Sequence, residues 1–432
     1  MKGRGVVDAS PHSYYHQGMT PDANTLRLFS AYGIEAEYMI VDRETLSVKP
    51  LADEVLKAMA GAYTSDVEFG RVGWSNELVL HVIEIKCNGP RPRLEGLDQD
   101  FLSSVHKINE ILAPMNAMLL PTAMHPWMDP LKESKLWPHD SATIYEAYDK
   151  VFGCRGHGWS NLQSVHINLP FANDEEFGRL HAAVRLVLPL IPALAASSPI
   201  VEGRPPGMMD TRIDFYRRNQ ARVPMLTGDV VPEPVFTEKD YREQIFNEIY
   251  RAIKPHDPDG LLQFEWLNSR GAIARFDRNA IEIRLVDIQE SPRADLAIVS
   301  LVSGTVKALA EGVWTEPAEQ RGWAAAPLRD LLFIGVKEGS DAIIHDPAYL
   351  RMFGVEAPRM SARELWQHIA AVVTQRQDDP TKSYINDIKK ITTRGCLSRS
   401  ILKALNGDFA RASLKGVYRS LAECLAGNTF FR

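Results

Sequence analysis

The sequence predicts an α+β protein: a curved, mainly antiparallel sheet with helices packed outside it and a helical C-terminal region. Three observations carry this. Four stretches alternate polar and apolar residues at every second position, the habit of antiparallel strands with one packed face and one wet face. Long apolar runs with helical spacing lie between them. Beyond Glu316 the remaining periodic stretches read as helices, with Leu365–Val373, Leu397–Leu405 and Leu414–Leu425 the clearest.

The first strand is Tyr32 to Asp42, closed by the turn residues Asp42-Arg43-Glu44-Thr45; Glu35 and Glu37 project from one face of it. Ala52 to Ala60 has helical spacing. Glu77 to Asn88 reads as a second strand, with Glu84 on the face of Val82 and Lys86, and Gly89-Pro90-Arg91-Pro92 stops it. A helix is expected from Leu94 to Met118, ended or kinked by Pro114. Pro121 to Asp140 reads as an irregular loop near a pocket. Leu162 to Leu169 is a third strand with Ser164, His166 and Asn168 on one face. Glu175 to Ala196 is a long apolar helix bent at its prolines, and Thr211 to Gln220 is dense in arginine. A helix capped by Thr237 runs to Ile253. The fourth strand, Ala280 to Ile288, puts Ile281, Ile283 and Leu285 on one face and Glu282 with Arg284 on the other; Pro292 then opens a long helix. The chain divides into a leader (1–30), a sheet unit (31–315) and a mostly helical region (316–432).

The bulk numbers exclude several classes. In 432 residues, 45% are hydrophobic and 24% charged, enough apolar material for a substantial core. A formal charge of -6 argues against nucleic acid as the main partner. Cys87, Cys154, Cys396 and Cys424 are far apart with no CxxC pair, as in a reduced cytoplasmic protein. The N-terminus has no apolar signal core, and the most apolar run, Val184 to Ile200, is interrupted by Arg185, Pro189 and Pro192, so no membrane span is expected. A homodimer is no more than the base-rate expectation.

The chemistry lies in what occupies the polar faces. Neighbouring carboxylates repel each other unless something positive lies between them. A solvated sheet face absorbs that cost, and so does a metal site. Ordinary wet faces use Thr, Ser, Lys and Gln; these carry Glu35, Glu37, Glu84, Glu282 and one imidazole, His166, at strand centres. If the strands curl, such ligands converge and suit Mg²⁺ or Mn²⁺, with Arg284 facing an anion held there. The chain has no GxxxxGK[ST] loop, no GxSxG elbow and no HExxH. Gly153 to Gly158 reads as a flexible loop, and Cys87 as a buried structural thiol.

The segments Gly33-Ile34-Glu35-Ala36-Glu37-Tyr38, Val82-Ile83-Glu84-Ile85, Val165-His166-Ile167-Asn168, Ala195-Ala196-Ser197-Ser198-Pro199 and Ile281-Glu282-Ile283-Arg284-Leu285-Val286-Asp287 fall in a specific order. Across residues 30 to 310 that order resembles the glutamate–cysteine ligase family 2 proteins, within the glutamine synthetase superfamily. The resemblance implies a funnel-shaped sheet, ATP and two or more Mg²⁺ ions, and phosphoryl transfer to a substrate carboxylate followed by attack of an amine. It implies Glu35, Glu37, Glu84, His166 and Glu282 as metal ligands and Arg284, with Glu282, in the catalytic centre. Arg204 and Arg212 would be substrate-carboxylate arginines. The histidine strand reads Ser-Val-His-Ile-Asn rather than carrying two histidines, and Asp210 to Arg222 looks closer to the plant-type form, so the acceptor amine stays open, with cysteine leading. The alternatives are a binding protein of the same fold without turnover and a metal-dependent hydrolase.

Overall fold

The computed structural model describes residues 25–376 and 380–432; most of the expected leader lies outside them. Eight strands form one open sheet: β1 (Gly33–Asp42), β2 (Asp66–Phe69), β3 (Val72–Asn76), β4 (Val82–Cys87), β5 (Ala117–Leu120), β6 (Ser164–Pro170), β7 (Ala272–Arg275) and β8 (Ala280–Asp287). Their order is β2-β3-β4-β1-β6-β8-β7, with β5 paired to the end of β1. Every pairing in this sheet is antiparallel, as the alternating patterns require.

One face of the sheet packs on helices. Ile34, Ala36, Tyr38 and Ile40 of β1, Ile83 and Ile85 of β4, and Ile281 and Ile283 of β8 enter a single large core. The helix Pro292–Ala310 is its central support: nearly every residue is buried, and Ser291 caps it by accepting from the Ala294 amide. The apolar helix Asp174–Val187, followed by a 3₁₀ turn and Ile191–Ala195, packs on the same face. Asp174–Ala195 is long and apolar enough to cross a membrane, yet 94% of its apolar window is buried inside this fold.

Several boundaries differ from the sequence reading. The helix after β4 is Leu97–Leu112, because Pro114 turns it into a 3₁₀ step and the chain then becomes β5. The second predicted strand joins the sheet only from Val82; Glu77 to His81 leaves β3 as a loop segment with one isolated bridge, Val79 to Leu136. The Thr237 cap is present, but the helix contains a π turn at Arg242–Phe246 before it resumes as Asn247–Ile253.

The C-terminal helices Leu397–Leu405 and Arg411–Gly427 build a second, smaller core. Leu397, Ile401, Leu414, Tyr418 and Leu421 cover Met39 and Val41 of β1 and Leu120 of β5.

Candidate active site

Register sets the polar side chains in rows. Ser75, Glu84 and Glu37 lie opposite one another across β3, β4 and β1. Lys86, Glu35 and His166 lie opposite one another across β4, β1 and β6. Between β6 and β8 the register shifts at His166: Val165 pairs with Val286, but Ile167 pairs with Ile283. The extra residue changes the phase of β8, so Asp287 rather than Val286 meets Ser164 on the polar side. Simple alternation along Ala280 to Ile288 does not foresee this.

The predicted residues converge. His166 Nδ1 lies 3.1 Å from Glu35 Oε2, and its Nε2 lies 3.0 Å from Ser164 Oγ. The Ser164 amide donates to Glu37 Oε2 at 2.7 Å, and Asn168 donates to Glu35 Oε1 at 3.1 Å. Ser75 donates to Glu84 Oε1 at 2.6 Å. Arg284 Nε donates to Glu282 Oε1 at 2.6 Å, and Arg275 reaches the other oxygen of Glu282 at 3.4 Å. Glu282 lies 3.8 Å from His166.

Two groups of ligand atoms, each within 4.8 Å of one another, emerge: Glu35, Glu84 and His166, and Glu37, Glu77 and Glu84. Hard carboxylate oxygens with one imidazole suit Mg²⁺ or Mn²⁺. Glu77 is the residue that sequence reasoning missed. It opens the second expected strand, and its one signal is an acid seven positions before Glu84, where the chain leaves β3.

Burial and neighbouring charges set these carboxylates apart. Burial, and then the charges of Glu37 and Glu84, push Glu77 well above the usual carboxylate range. Burial and the neighbouring Glu35 push Glu84 up to about 8. Burial would do the same to Glu282, but Arg284 and His166 outweigh it and hold Glu282 down to about 2. Burial works against the charged form of His166, yet its bond to Glu35 and the charges of Glu37 and Glu282 raise it to about 9. Burial and like charges thus push two of these carboxylates towards their neutral forms.

A cavity of about 210 Å³ opens beside these residues, with Glu37, Glu77, His166, Arg212 and Arg284 on its polar wall. Tyr145, Tyr148, Trp159, Tyr216 and Trp266 form an aromatic wall. The Pro121–Asp140 passage expected near a pocket does not line this cavity; the helix that follows it, Ala142–Phe152, does so through Tyr145 and Tyr148. The loop expected to be merely flexible contributes Gly158. A Cβ on Gly158 would sit 2.8 Å from Asn219 Cβ, so glycine is needed for that close approach.

The two other predicted arginines part company. Arg212 is buried on the cavity wall, but its Nε is bound to Asp287 and its outer nitrogens reach the Arg284 carbonyl at 3.3 and 3.2 Å. Arg204 has a side chain 77% exposed, is paired to Glu202 at 3.8 Å, and does not line the cavity.

Comparisons with known proteins identify the family to which this fold belongs. Residues 31–419 match the model of Glutamate-cysteine ligase family 2. The chain is 38% identical over 277 residues to an uncharacterized protein of Archaeoglobus fulgidus, covering 64% of this chain and 74% of that one. It is 24% identical to a Nocardioides protein provisionally named glutamate–cysteine ligase 2-1, covering 72% and 77%. The fold matches the glutamate–cysteine ligase of Francisella tularensis, solved with AMP, at a TM-score of 0.57 and 11% identity, covering 92% and 89% of the two chains. The chain belongs to glutamate–cysteine ligase family 2.

Proposed function

We propose that this protein is an ATP-dependent ligase that activates the γ-carboxylate of glutamate and joins it to an amine. The observation that carries this reading is the pair of carboxylate groups sharing Glu84, set against a cavity that also presents Arg284. Glu35, Glu84 and His166 would hold one divalent cation, and Glu37, Glu77 and Glu84 another. Bound Mg²⁺ or Mn²⁺ supplies charge that offsets the repulsion between nucleotide phosphates and a substrate carboxylate. The AMP bound to the Francisella enzyme of the same fold supports a nucleotide substrate.

The chain's own residues do the rest. Glu282 orients the Arg284 guanidinium, whose outer nitrogens present a fork to a carboxylate or a transferring phosphoryl group. Ser75, Ser164 and Asn168 fix the rotamers of Glu84, Glu37 and Glu35, so the ligand oxygens are preset rather than recruited. Asp287 holds Arg212 against the Arg284 carbonyl, which makes Arg212 a positioning residue. The free cysteines fit a reducing, cytoplasmic setting.

The test is release of ADP or phosphate from ATP with Mg²⁺ and glutamate, with single amines including cysteine in parallel. Release that needs Mg²⁺ and glutamate and rises with one amine supports the reading. Release without glutamate, or hydrolysis without ATP, overturns it.

A further inference from the structure

Much of the cavity's lining is aromatic. Tyr148 meets Trp159 edge-on at 5.3 Å and 63°, and packs on Trp266 at 5.7 Å. Trp266 stacks on Phe264 at 5.6 Å and 11°, and Phe264 is itself 52% exposed. Two polar edges of this wall are committed within the protein. Trp159 Nε1 donates to the Asn219 carbonyl at 3.1 Å, and the Tyr145 hydroxyl accepts from Asn76 at 3.1 Å. Apart from the Tyr148 hydroxyl and the Trp266 N–H, ring faces are what this side offers a ligand.

One polar atom here is uncommitted. The Asn219 side chain donates to the Gly158 carbonyl at 3.0 Å, while its Oδ1 is buried without a partner. Asn219 lines the cavity, and a buried acceptor without a donor calls for an N–H or O–H from a ligand.

A cation count completes the argument. Among the described residues lining the cavity, Arg212, Arg284 and His166 are the cationic side chains. Arg212 is occupied by Asp287 and the Arg284 carbonyl, and His166 by Glu35 and Ser164. Arg284 gives its Nε to Glu282, and its outer nitrogens, beside Tyr216, form one fork for one carboxylate. Glutamate as donor brings a carboxylate besides the one activated, and that fork would bind it. An amino-acid acceptor such as cysteine brings another, for which the lining supplies no second fork.

We propose, building on the ligase reading, that the acceptor is a primary amine on a flat apolar body without a carboxylate, an arylalkylamine. Its ring lies against Trp159 and Trp266 and its nitrogen is directed by Asn219 Oδ1. The nitrogen forms the amide bond as the bond from the acyl carbon to the phosphate oxygen breaks. Of the two protons the ammonium gives up, one leaves with the phosphate and one passes to water.

Four amines separate the features: phenethylamine, phenylalanine (the same ring with a carboxylate), ethylamine (no ring) and cysteine. With full-length protein, ATP, Mg²⁺ and glutamate, kcat/KM for phenethylamine is expected to exceed each of the others at least tenfold. Trp159→Ala is expected to shrink the phenethylamine-to-ethylamine ratio about tenfold. Calorimetric titration of phenethylamine, with Mg²⁺, glutamate and a non-hydrolysable ATP analogue, is the second readout. Preference for cysteine or phenylalanine overturns the proposal and leaves the ligase intact. Trp159-dependent phenethylamine binding without turnover of any amine supports the pocket's selectivity and sinks the ligase reading. Absence of phenethylamine binding overturns the proposal in either case.

Discussion

Along one face of β1, Glu35 and Glu37 look into the polar site, while Met39 and Val41, the next two residues on that face, are sealed under the C-terminal helices. Strand and pleat are continuous across this change, although the pairing partners pass from β4 and β6 to β5. What differs is the cover. The first half is left open to a cavity, and its charges are held by His166, Ser164 and Asn168. The second half is closed by Leu397, Ile401, Tyr418 and Leu421. A single strand thus divides function from stability by position alone, and substitutions in its two halves should fail in opposite ways.

Exchanging the characters of the halves gives the largest effects. Glu35→Gln keeps the shape and removes a like charge, so the fold should persist; loss of a metal ligand should cost several kcal/mol of transition-state stabilisation, about 10³-fold in kcat. Met39→Glu buries a charge with no partner under the helical cover and should lose at least about 3 kcal/mol of stability. Thermal melts and initial rates on both variants check this. A Met39→Glu protein that folds normally but is inactive would show that the cover is not tight.

The cover can be weakened more gently. Leu421 is fully buried in the small core, and Leu421→Ala should destabilise by about 2–5 kcal/mol. Because Leu421 packs in the small core and does not line the cavity, KM for ATP should move less than twofold in protein that remains folded. A large change in KM would couple the C-terminal helices to the site.

The polar half should show a pH dependence that the apolar half lacks. The folded raised value of His166, about 9 against an ordinary 6.5, gives stability that is full below about 6.5 and is lost as pH rises through 9. Glu84, raised to about 8 from 4.5, acts in the same direction: its neutral form is favoured in the fold, and that advantage disappears as pH rises to 8. Glu282, held near 2, has the opposite sign, but its contribution is lost only in strong acid. Metal-free protein should therefore melt at a lower temperature at pH 9 than at pH 6, and Mn²⁺ should raise the melting temperature more at pH 9. Equal metal-induced shifts at the two pH values would remove His166 and Glu84 from the ligand set.

Most of this site was legible because its chemistry is written in period two. Glu35, Glu37, Glu84, His166 and Glu282 stand on strands whose apolar alternates fix the facing, and pairing then brings them together. The parts that escaped lie where that period fails. Glu77 is on a loop, where no alternation assigns a direction. Asp287 reaches the polar side only through the register shift opposite His166. The aromatic wall comes from Ala142–Phe152 and from loops, elements placed by tertiary packing. The apolar pattern of the C-terminal helices predicted helices but could not say that they cover Met39 and Val41.

The arginines give the smallest and most discriminating contrast. The family resemblance implied both Arg204 and Arg212 as substrate-carboxylate arginines, but the structure separates them by burial. Arg212 neutralises the buried Asp287, so Arg212→Ala leaves that carboxylate unpaired and should cost about 3–5 kcal/mol of stability. Arg204 is solvated and forms a loose pair with the exposed Glu202, an interaction worth about 0–1 kcal/mol. Arg204→Ala should change the KM for glutamate less than twofold and leave the melting temperature within about 1 °C. A rise in KM of tenfold or more would mean that the Val201–Arg204 turn folds over the cavity when glutamate binds, and would restore Arg204 to the substrate site.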